Sequence, residues 1–337
     1  MLKHILYCFV LNISVCCFSQ TLTGLVLDAT TKQPIETASV YFDNTTLGTT
    51  TNVNGEFSIT YNNSIQSNLI ISFIGYYTKV ISNYRSLSKT TIALQPSTNT
   101  LDEVVINADD GLTRKQKLNI FRAQFLGSSK YAKRCKILNE DDLILRYNKA
   151  KKQLTAYNKA PLQIINKALQ YHITYNIEAF TVNFNYVDAK NSQFNVHSTV
   201  YVGSTFFSDL ENLNIRKAKK ARNAVYQGST LEFMRALYNK QLIEKNYQIY
   251  FKRFPVPPYK YIKVEPVKHT TFKRVTLTEP VQILYKKSQQ SGLTILSESI
   301  IVDVYGNYVN PTDVLFSGFM GYQRIGDVLP LDYGLTE

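Results

Sequence analysis

Tryptophan is absent from this chain of 337 residues, methionine occurs three times, and the four cysteines are unevenly placed. Cys8, Cys16 and Cys17 crowd the first nineteen residues, so Cys135 stands alone beyond them and no disulfide can form in that part. Cross-links are thereby excluded as a source of stability, which must come from buried area, and 24 Tyr with 18 Phe supply the large side chains for it. Long apolar runs are as scarce: one covers residues 5–18 and no second follows, which argues against a helical membrane span further on. Internal repeats and low-complexity tracts are missing. So are zinc-peptidase signatures, since none of His172, His197 and His269 begins an HxxE or HExxH element. No metal and no cofactor is expected.

The single apolar run follows Lys3 and has the length and flank of an export signal, so residues 1–19 are set apart from the fold. Cleavage after Ser19, with Cys17 and Ser19 as the small residues, would leave Gln20 as the new terminus. Two alternatives stay open: an uncleaved anchor, and a lipoprotein acylated at Cys16 or Cys17, against which the bulk of Val15 counts. The mature protein is expected in the periplasm, at the outer membrane or on the cell surface, soluble or peripherally attached.

Acidic residues thin out along the chain. Residues 20–110 hold 4 Lys/Arg against 8 Asp/Glu, and residues 111–337 hold 33 against 17, so the net charges are −4 and +16. Inside a cell so basic a surface would point to nucleic acid. Behind an export signal the available polyanions are lipopolysaccharide, phospholipid headgroups and acidic glycans, and the plain alternative is charge that serves solubility.

What is present in residues 23–106 is a succession of short apolar runs separated by turn chemistry. Val40 and Phe42 alternate with Ser39, Tyr41 and Asp43, and Phe57 and Ile59 alternate with Glu56, Ser58 and Thr60, the period of a strand with one buried face. Asn54-Gly55 just before the second of these is a turn signal, because both residues tolerate positive φ. Residues 69–74 are apolar on both faces and end at Gly75, as a central strand would. Ile92 with Leu94, then Val104 with Ile106, supply closing strands. Roughly seven short strands in this length predict a β-sandwich.

The order GLVLD, Lys32-Gln33-Pro34-Ile35, Ala38-Ser39-Val40, Leu47-Gly48-Thr49-Thr50-Thr51-Asn52, Asn54-Gly55-Glu56-Phe57, Phe73-Ile74-Gly75-Tyr76 and Leu101-Asp102-Glu103-Val104-Val105 resembles the carboxypeptidase regulatory-like domain, a transthyretin-like sandwich. The resemblance covers about a quarter of the chain. It implies a fold and a cell-envelope setting of the Bacteroides and Flavobacterium kind, and it implies no catalysis, since the domain is a non-catalytic appendage of certain carboxypeptidases. It often opens TonB-dependent receptors, but the 227 residues after Asp110 are fewer than a plug and a large barrel need, so a receptor of that type is not expected.

Residues 107–112 read as a linker between the sandwich at 20–106 and a second domain at 113–337. Thr113 offers an N-cap, Leu118, Phe121 and Phe125 recur at helical spacing, and Gly127 can close that helix. Strands are predicted at 142–147, 154–157, 171–184 and 194–202, helices between 213 and 244, and strands again after Tyr247, with Val304-Tyr305-Gly306-Asn307-Tyr308 as a hairpin turn. The second domain is therefore α+β, an antiparallel sheet with a few helices, and the whole chain is α+β. Lys115-Gln116-Lys117-Leu118, Phe125-Leu126-Gly127, Cys135-Lys136-Ile137-Leu138-Asn139, Leu154-Thr155-Ala156, Pro161-Leu162, Ala224-Val225-Tyr226-Gln227-Gly228-Ser229 and Phe233-Met234-Arg235-Ala236-Leu237 resemble the C-terminal part of envelope proteins that carry the same first domain. That resemblance implies no particular activity. A histidine usually stands there where this chain has Glu232, which counts against a metal or catalytic task at that position.

Candidate sites are few. Ser229 follows Gly228, but residues 227–231 lack the second glycine of a nucleophile elbow. Ser229-Thr230-Leu231-Glu232 reads instead as a capping box, with Leu231, Met234, Tyr238 and Leu242 as a buried stripe. Cys135 lies among Lys133, Arg134 and Lys136, which would lower its pKa and make it a reactive thiol, although a partly buried structural cysteine fits as well. Glu140-Asp141-Asp142 could serve calcium or glycoside hydrolysis, or be a solvated turn before a strand. Arg216, Lys217, Lys219, Lys220 and Arg222 place five cations in seven residues on a helix, leaving Ala218, Ala221 and Val225 as its packing stripe. That helix is the candidate ligand-binding face, pairing with phosphate or another anion, and a solvated face is its plain alternative. The aromatic and basic run 247–263, interrupted by Pro255, Pro257 and Pro258, offers stacking surfaces for sugars or simply strand formers. The expected function is a non-catalytic envelope binding or docking module whose partner is an envelope polyanion or an outer-membrane protein, with no nucleic acid. A hydrolase of envelope peptide or glycan and an accessory subunit of an outer-membrane complex are the alternatives.

Overall fold

The computed structural model describes residues 19–62, 64–86, 89–97, 110–308 and 310–335. Residues 1–18 of the export segment with its three cysteines, the strand expected over Val104 and Ile106, and the first half of the linker lie outside these residues.

The N-terminal unit is a sandwich of two sheets. Strands β1 (Ser19–Asp28), β2 (Ser39–Phe42), β3 (Gly48–Thr50), β4 (Glu56–Asn62), β5 (Leu69–Ser72), β6 (Lys79–Ile81) and β7 (Lys89–Leu94) form one sheet in the order β4-β1-β7 and another in the order β3-β2-β5-β6. β1 runs antiparallel to β4 and parallel to β7. The alternation in β4 places Phe57 and Ile59 inside and Glu56, Ser58 and Thr60 in water, while β5, central in its sheet, is buried on both faces. Between the sheets Tyr84 packs on Phe42 at 5.0 Å and edge-on to Tyr61 at 5.2 Å. Gly55 takes φ of +74°, and a Cβ there would meet the Val26 carbonyl at 2.6 Å, so the turn requires glycine.

One residue breaks the alternation. Tyr41, expected on the solvent face of β2, is buried because a hairpin from the second region covers that face. Its ring lies 5.2 Å from Phe206 and its hydroxyl 3.2 Å from the Ser204 hydroxyl.

Beyond Asp110 the fold is dominated by strands around two separate cores. Helix α1 (Arg114–Phe125) begins at a Thr113 capping box completed by Gln116. Its Phe121 and Phe125 pack on Phe180 and Tyr175 at 4.7 and 4.8 Å. They belong to a sheet of β8 (Cys135–Ile137), β9 (Leu143–Asn148), β10 (Gln153–Asn158), β11 (Leu162–Asn166), β12 (Tyr171–Asp188) and β13 (Gln193–Asp209), in the order β8-β11-β12-β10-β9 with β13 along the other side of β12. Helices α2 (Ile215–Tyr226) and α3 (Thr230–Tyr238) follow.

The second core gathers Phe233, Met234 and Leu237 of α3 with β14 (Tyr247–Phe251), β15 (Phe254–Val256), β16 (Ile262–Pro266), β17 (Lys273–Leu277), β18 (Val281–Tyr285), β19 (Gln289–Ile295), β20 (Ile300–Val302) and β21 (Val314–Ser317). Two sheets result, β15-β14-β18-β19-β21 and β16-β17-β20. After β21 the chain turns through the short α4 (Gly318–Gly321) and carries no further strand among the described residues, against the expectation of strands to the end. No described helix is long and apolar enough to cross a membrane.

The sandwich is welded to the second region. Tyr305 completes the sandwich core from outside it. The Asn44 amide donates to the Thr205 carbonyl at 2.7 Å, the Phe207 amide to the Thr45 carbonyl at 3.0 Å, and the Leu331 amide to the Asn44 carbonyl at 2.7 Å. Three carboxylates reach across: Asp43 accepts from the Thr205 amide at 2.7 Å, Asp303 from the Gln66 amide at 2.9 Å, and Asp332 from the Thr46 amide at 3.0 Å. Buried groups paired this way hold a fixed geometry, because separating them leaves unsatisfied polar atoms on both sides.

Candidate functional site

Helix α2 starts where the Asn214 side chain accepts from the Lys217 amide at 3.0 Å. Its small residues decide its orientation: Ala218 and Val225 are buried and Ala221 is half-buried, so the opposite face stays in water. Arg216, Lys217, Lys219 and Lys220 are all exposed there. The structure thus brings four of the five expected cations together on one surface.

Arg222 is not the fifth. Its Nε donates to the Leu169 carbonyl at 2.8 Å, and Nη2 donates to the Gln170 carbonyl at 3.0 Å and to Asp209 Oδ1 at 2.6 Å. The guanidinium also lies 3.6 Å from the centre of the Tyr171 ring. The ligand-binding expectation is corrected here for a physical reason: these donors are spent on holding α2 to the start of β12 and the end of β13.

Beside α2 a cleft of about 770 Å³ is lined by Lys219, Arg222, Tyr226, Arg235, Asp332 and Tyr333 among others. Its arginines are committed. Arg235, buried within α3, donates to the carbonyls of Tyr305, Tyr333 and Leu331 at 3.1, 2.7 and 2.6 Å. The exposed cations of this region are therefore on α2, with Lys219 also lining the cleft.

The expected capping box at α3 is half formed. Ser229 Oγ accepts from the Glu232 amide at 3.1 Å, but the Glu232 carboxylate accepts from the Gly228 amide at 2.7 Å and from the Tyr247 hydroxyl at 3.1 Å. Glu232 is buried, and together with these partners it fixes the helix start to β14. Ser229 is likewise buried and serves as a cap.

The cations flanking Cys135 do not activate it. Lys133, Arg134 and Lys136 are exposed, whereas the thiol is half-buried and within 3.7 Å of the Tyr131 carbonyl. Burial, with a smaller contribution from Asp327, pushes the thiol up to about 12, so the reactive-thiol expectation is corrected. Glu140 is held by Arg122 of α1, whose Nε donates to it at 2.7 Å and whose Nη2 donates to its other oxygen. Asp142 accepts from Asn139 at 2.8 Å, leaving the acidic triplet as a turn before β9. Among the described residues no three His, Cys, Asp or Glu side chains gather as a metal-binding group. In the aromatic run, Tyr247 is buried and Phe251 stacks near Tyr261 at 4.5 Å.

A second cleft, of about 650 Å³, opens between β13 and β21, where the sequence gives no hint of one. Thr199, Val200, Tyr201 and Val202 form one wall and Val314, Leu315 and Phe316 the other, with Leu296, Leu231 and Leu329 between. Alternation in β13 and β21 carries no sign of it, because the walls come from strands more than a hundred residues apart.

The class defined by this geometry is a mostly β protein whose N-terminal sandwich is fused to a basic region. Residues 22–106, where the sandwich lies, match the family model of the CarboxypepD_reg-like domain. No curated protein matches the chain. Among solved structures, a 9R-lipoxygenase from Cyanothece PCC8801 aligns at 9% identity and a TM-score of 0.20, over 68% of this chain and 49% of that one, so the chain spans about half its length. A putative carbohydrate binding protein from Bacteroides uniformis ATCC 8492 aligns at 8% identity and a TM-score of 0.17, over 84% of this chain and 98% of that one. Neither likeness carries weight for fold or function at those scores.

Proposed function

We propose that this is an exported, non-catalytic binding protein of the cell envelope, which contacts a phosphate- or carboxylate-bearing surface through the outer face of α2. The observation that carries the reading is the exposure of Arg216, Lys217, Lys219 and Lys220 on one helix face while its small residues pack inward. Cations so placed lower the free energy of an approaching anionic surface by charge pairing, an effect that salt screens. The sandwich supports the reading as a rigid mount rather than a tethered module, since it shares core and hydrogen bonds with the second region.

The test is cosedimentation of the full chain with phosphatidylglycerol vesicles, with lipopolysaccharide and with peptidoglycan, across a salt series. Saturable binding that weakens with salt, and weakens further in a variant carrying Arg216→Gln, Lys217→Gln and Lys220→Gln, is expected, and the three surfaces separate a lipid from a glycan source. Absence of binding at low salt, or binding indifferent to these substitutions, overturns the reading.

A further inference from the structure

The cleft between β13 and β21 differs from the basic face in every property. The charges that border it are already engaged: Arg324 donates to the carbonyls of Gln124, Gly321 and Gln323 at 3.0, 2.7 and 2.9 Å, and Asp327 accepts from the Ser129 hydroxyl at 2.5 Å. What it presents is apolar and open, with Val200 at 50%, Leu296 at 65% and Leu315 at 55% exposure around one cavity.

Its walls are also sheet edges. Among the described residues β13 pairs with β12 alone and β21 with β19 alone. The orientation of the β13 backbone follows from Thr205, whose amide donates to Asp43 and whose carbonyl accepts from Asn44, both away from β12. Antiparallel strands alternate in this respect. The register skips Glu178 on β12 while β13 runs on without a gap, so the outward groups continue at Gly203, Tyr201 and Thr199. Tyr201 and Thr199 stand at the cleft with Gly203 just beyond its lining, and no backbone hydrogen bond meets the three from that side among the described residues. An unpaired strand edge beside apolar side chains is a template for one more strand.

The same edge is already read once within the molecule. A turn of the sandwich meets it there, with Thr45 bridged in parallel to Phe206. The cleft continues that interface along β13, and Asn44 lines both.

We infer that the cleft docks an extended, uncharged peptide segment of a partner protein, which adds as a strand to the outer edge of β13 at Thr199, Tyr201 and Gly203 and seats alternate apolar side chains against Val200, Leu296 and Leu315. The site is separate from the α2 face and does not depend on it.

The experiment uses the full chain and a small panel of capped heptapeptides that alternate valine with threonine, serine or glutamine, each made also with N-methyl groups on alternate amides. Binding is followed by fluorescence anisotropy and by amide exchange. In the unliganded protein the amides of Tyr201 and Gly203 exchange faster than those of Val200 and Val202, and a bound peptide slows them. Val200→Asp and Leu315→Asp, both at exposed positions that the fold tolerates, weaken binding about tenfold or more, whereas the triple α2 variant and added salt leave it unchanged. Protection by none of the peptides at about 1 mM overturns the inference. So does equal binding of the N-methylated forms, which would make the cleft a plain apolar pocket. Self-association of the protein that Val200→Asp abolishes overturns it in favour of a second copy of this chain.

Discussion

Helices α2 and α3 are neighbours in the chain, each begun by a side-chain cap, and each carries charge, yet they use it in opposite ways. α2 rests on one narrow stripe and leaves four cations in water. α3 is enclosed, so its Glu232 and Arg235 are interior groups with every contact made to the protein itself. Arg222 stands between these cases, on the exposed helix but with its guanidinium turned inward. The comparison teaches that a cation's role is set by which distant backbone returns to meet it. For Arg235 that backbone is the turn at Tyr305 and the stretch at Leu331 and Tyr333, about a hundred residues further on.

The largest effect is therefore expected at Arg235. Arg235→Ala removes the guanidinium that donates to three carbonyls and releases the segment whose Leu331 amide holds Asn44 of the sandwich. Breaking a buried charged network of this kind costs about 3–5 kcal/mol, measured as a drop in the urea midpoint. Arg235→Lys recovers little of it, since one ammonium cannot serve three divergent carbonyls. A loss under about 1 kcal/mol would erase the contrast between the helices.

Arg222→Ala comes next. Its hydrogen bonds to two carbonyls and to Asp209 predict a loss of about 1.5–3 kcal/mol, together with faster amide exchange at the start of α2. Arg222→Lys keeps the charge and loses the ring stacking and the fork, so it falls between parent and alanine variant.

A smaller, pH-dependent effect sharpens the comparison between sandwich and second region. Burial, opposed by the amides of Thr205 and Asn44, pushes the Asp43 carboxyl from 3.8 up to about 7, and burial pushes Asp303 up to about 6. A carboxyl raised on folding favours the protonated form in the native state. The stability it contributes is thus fully present below 3.8 and lost as pH rises through about 7 for Asp43 and about 6 for Asp303. Asp43→Asn keeps an acceptor for the Thr205 amide and removes the titration. The parent should gain stability relative to this variant as pH falls from about 7 to about 4, read from paired urea curves. A parallel pH dependence of the two proteins would sink the assignment.

The sandwich is legible in the sequence because its alternation is local. Phe57 and Ile59 inside, Glu56 and Ser58 outside, and glycine at the tight turn of Gly55 all follow from residues within one hairpin. Tyr41 escapes that reading because its cover, Phe206, belongs to a strand more than 160 residues away. The basic face of α2 is legible from its spacing, and the inward turn of Arg222 is not. In α3 one signal is available: Glu232 and Arg235, three apart in an otherwise apolar helix, point to a helix buried on all sides whose charges must be paired. The cleft at β13 has no local signal, as its walls meet only in the folded chain.

The smallest effect on stability gives the sharpest test of the contrast. Neutralising Arg216, Lys217 and Lys220 together removes exposed charges from a helix whose anchoring residues, Ala218, Val225 and Arg222, stay in place. Surface substitutions of this kind shift stability by within about 0.5 kcal/mol, and relief of like-charge repulsion along the helix makes a slight gain as natural as a slight loss. The same variant should lose most of its attachment to anionic vesicles at low salt, while peptide docking at β13 is untouched. Arg235→Ala gives the reverse pattern, a large loss of stability by a residue that meets no ligand. If neutralising α2 instead lowered the urea midpoint as far as Arg222→Ala does, its cations would be structural like Arg235 of α3, and the basic face would have no binding role left to explain.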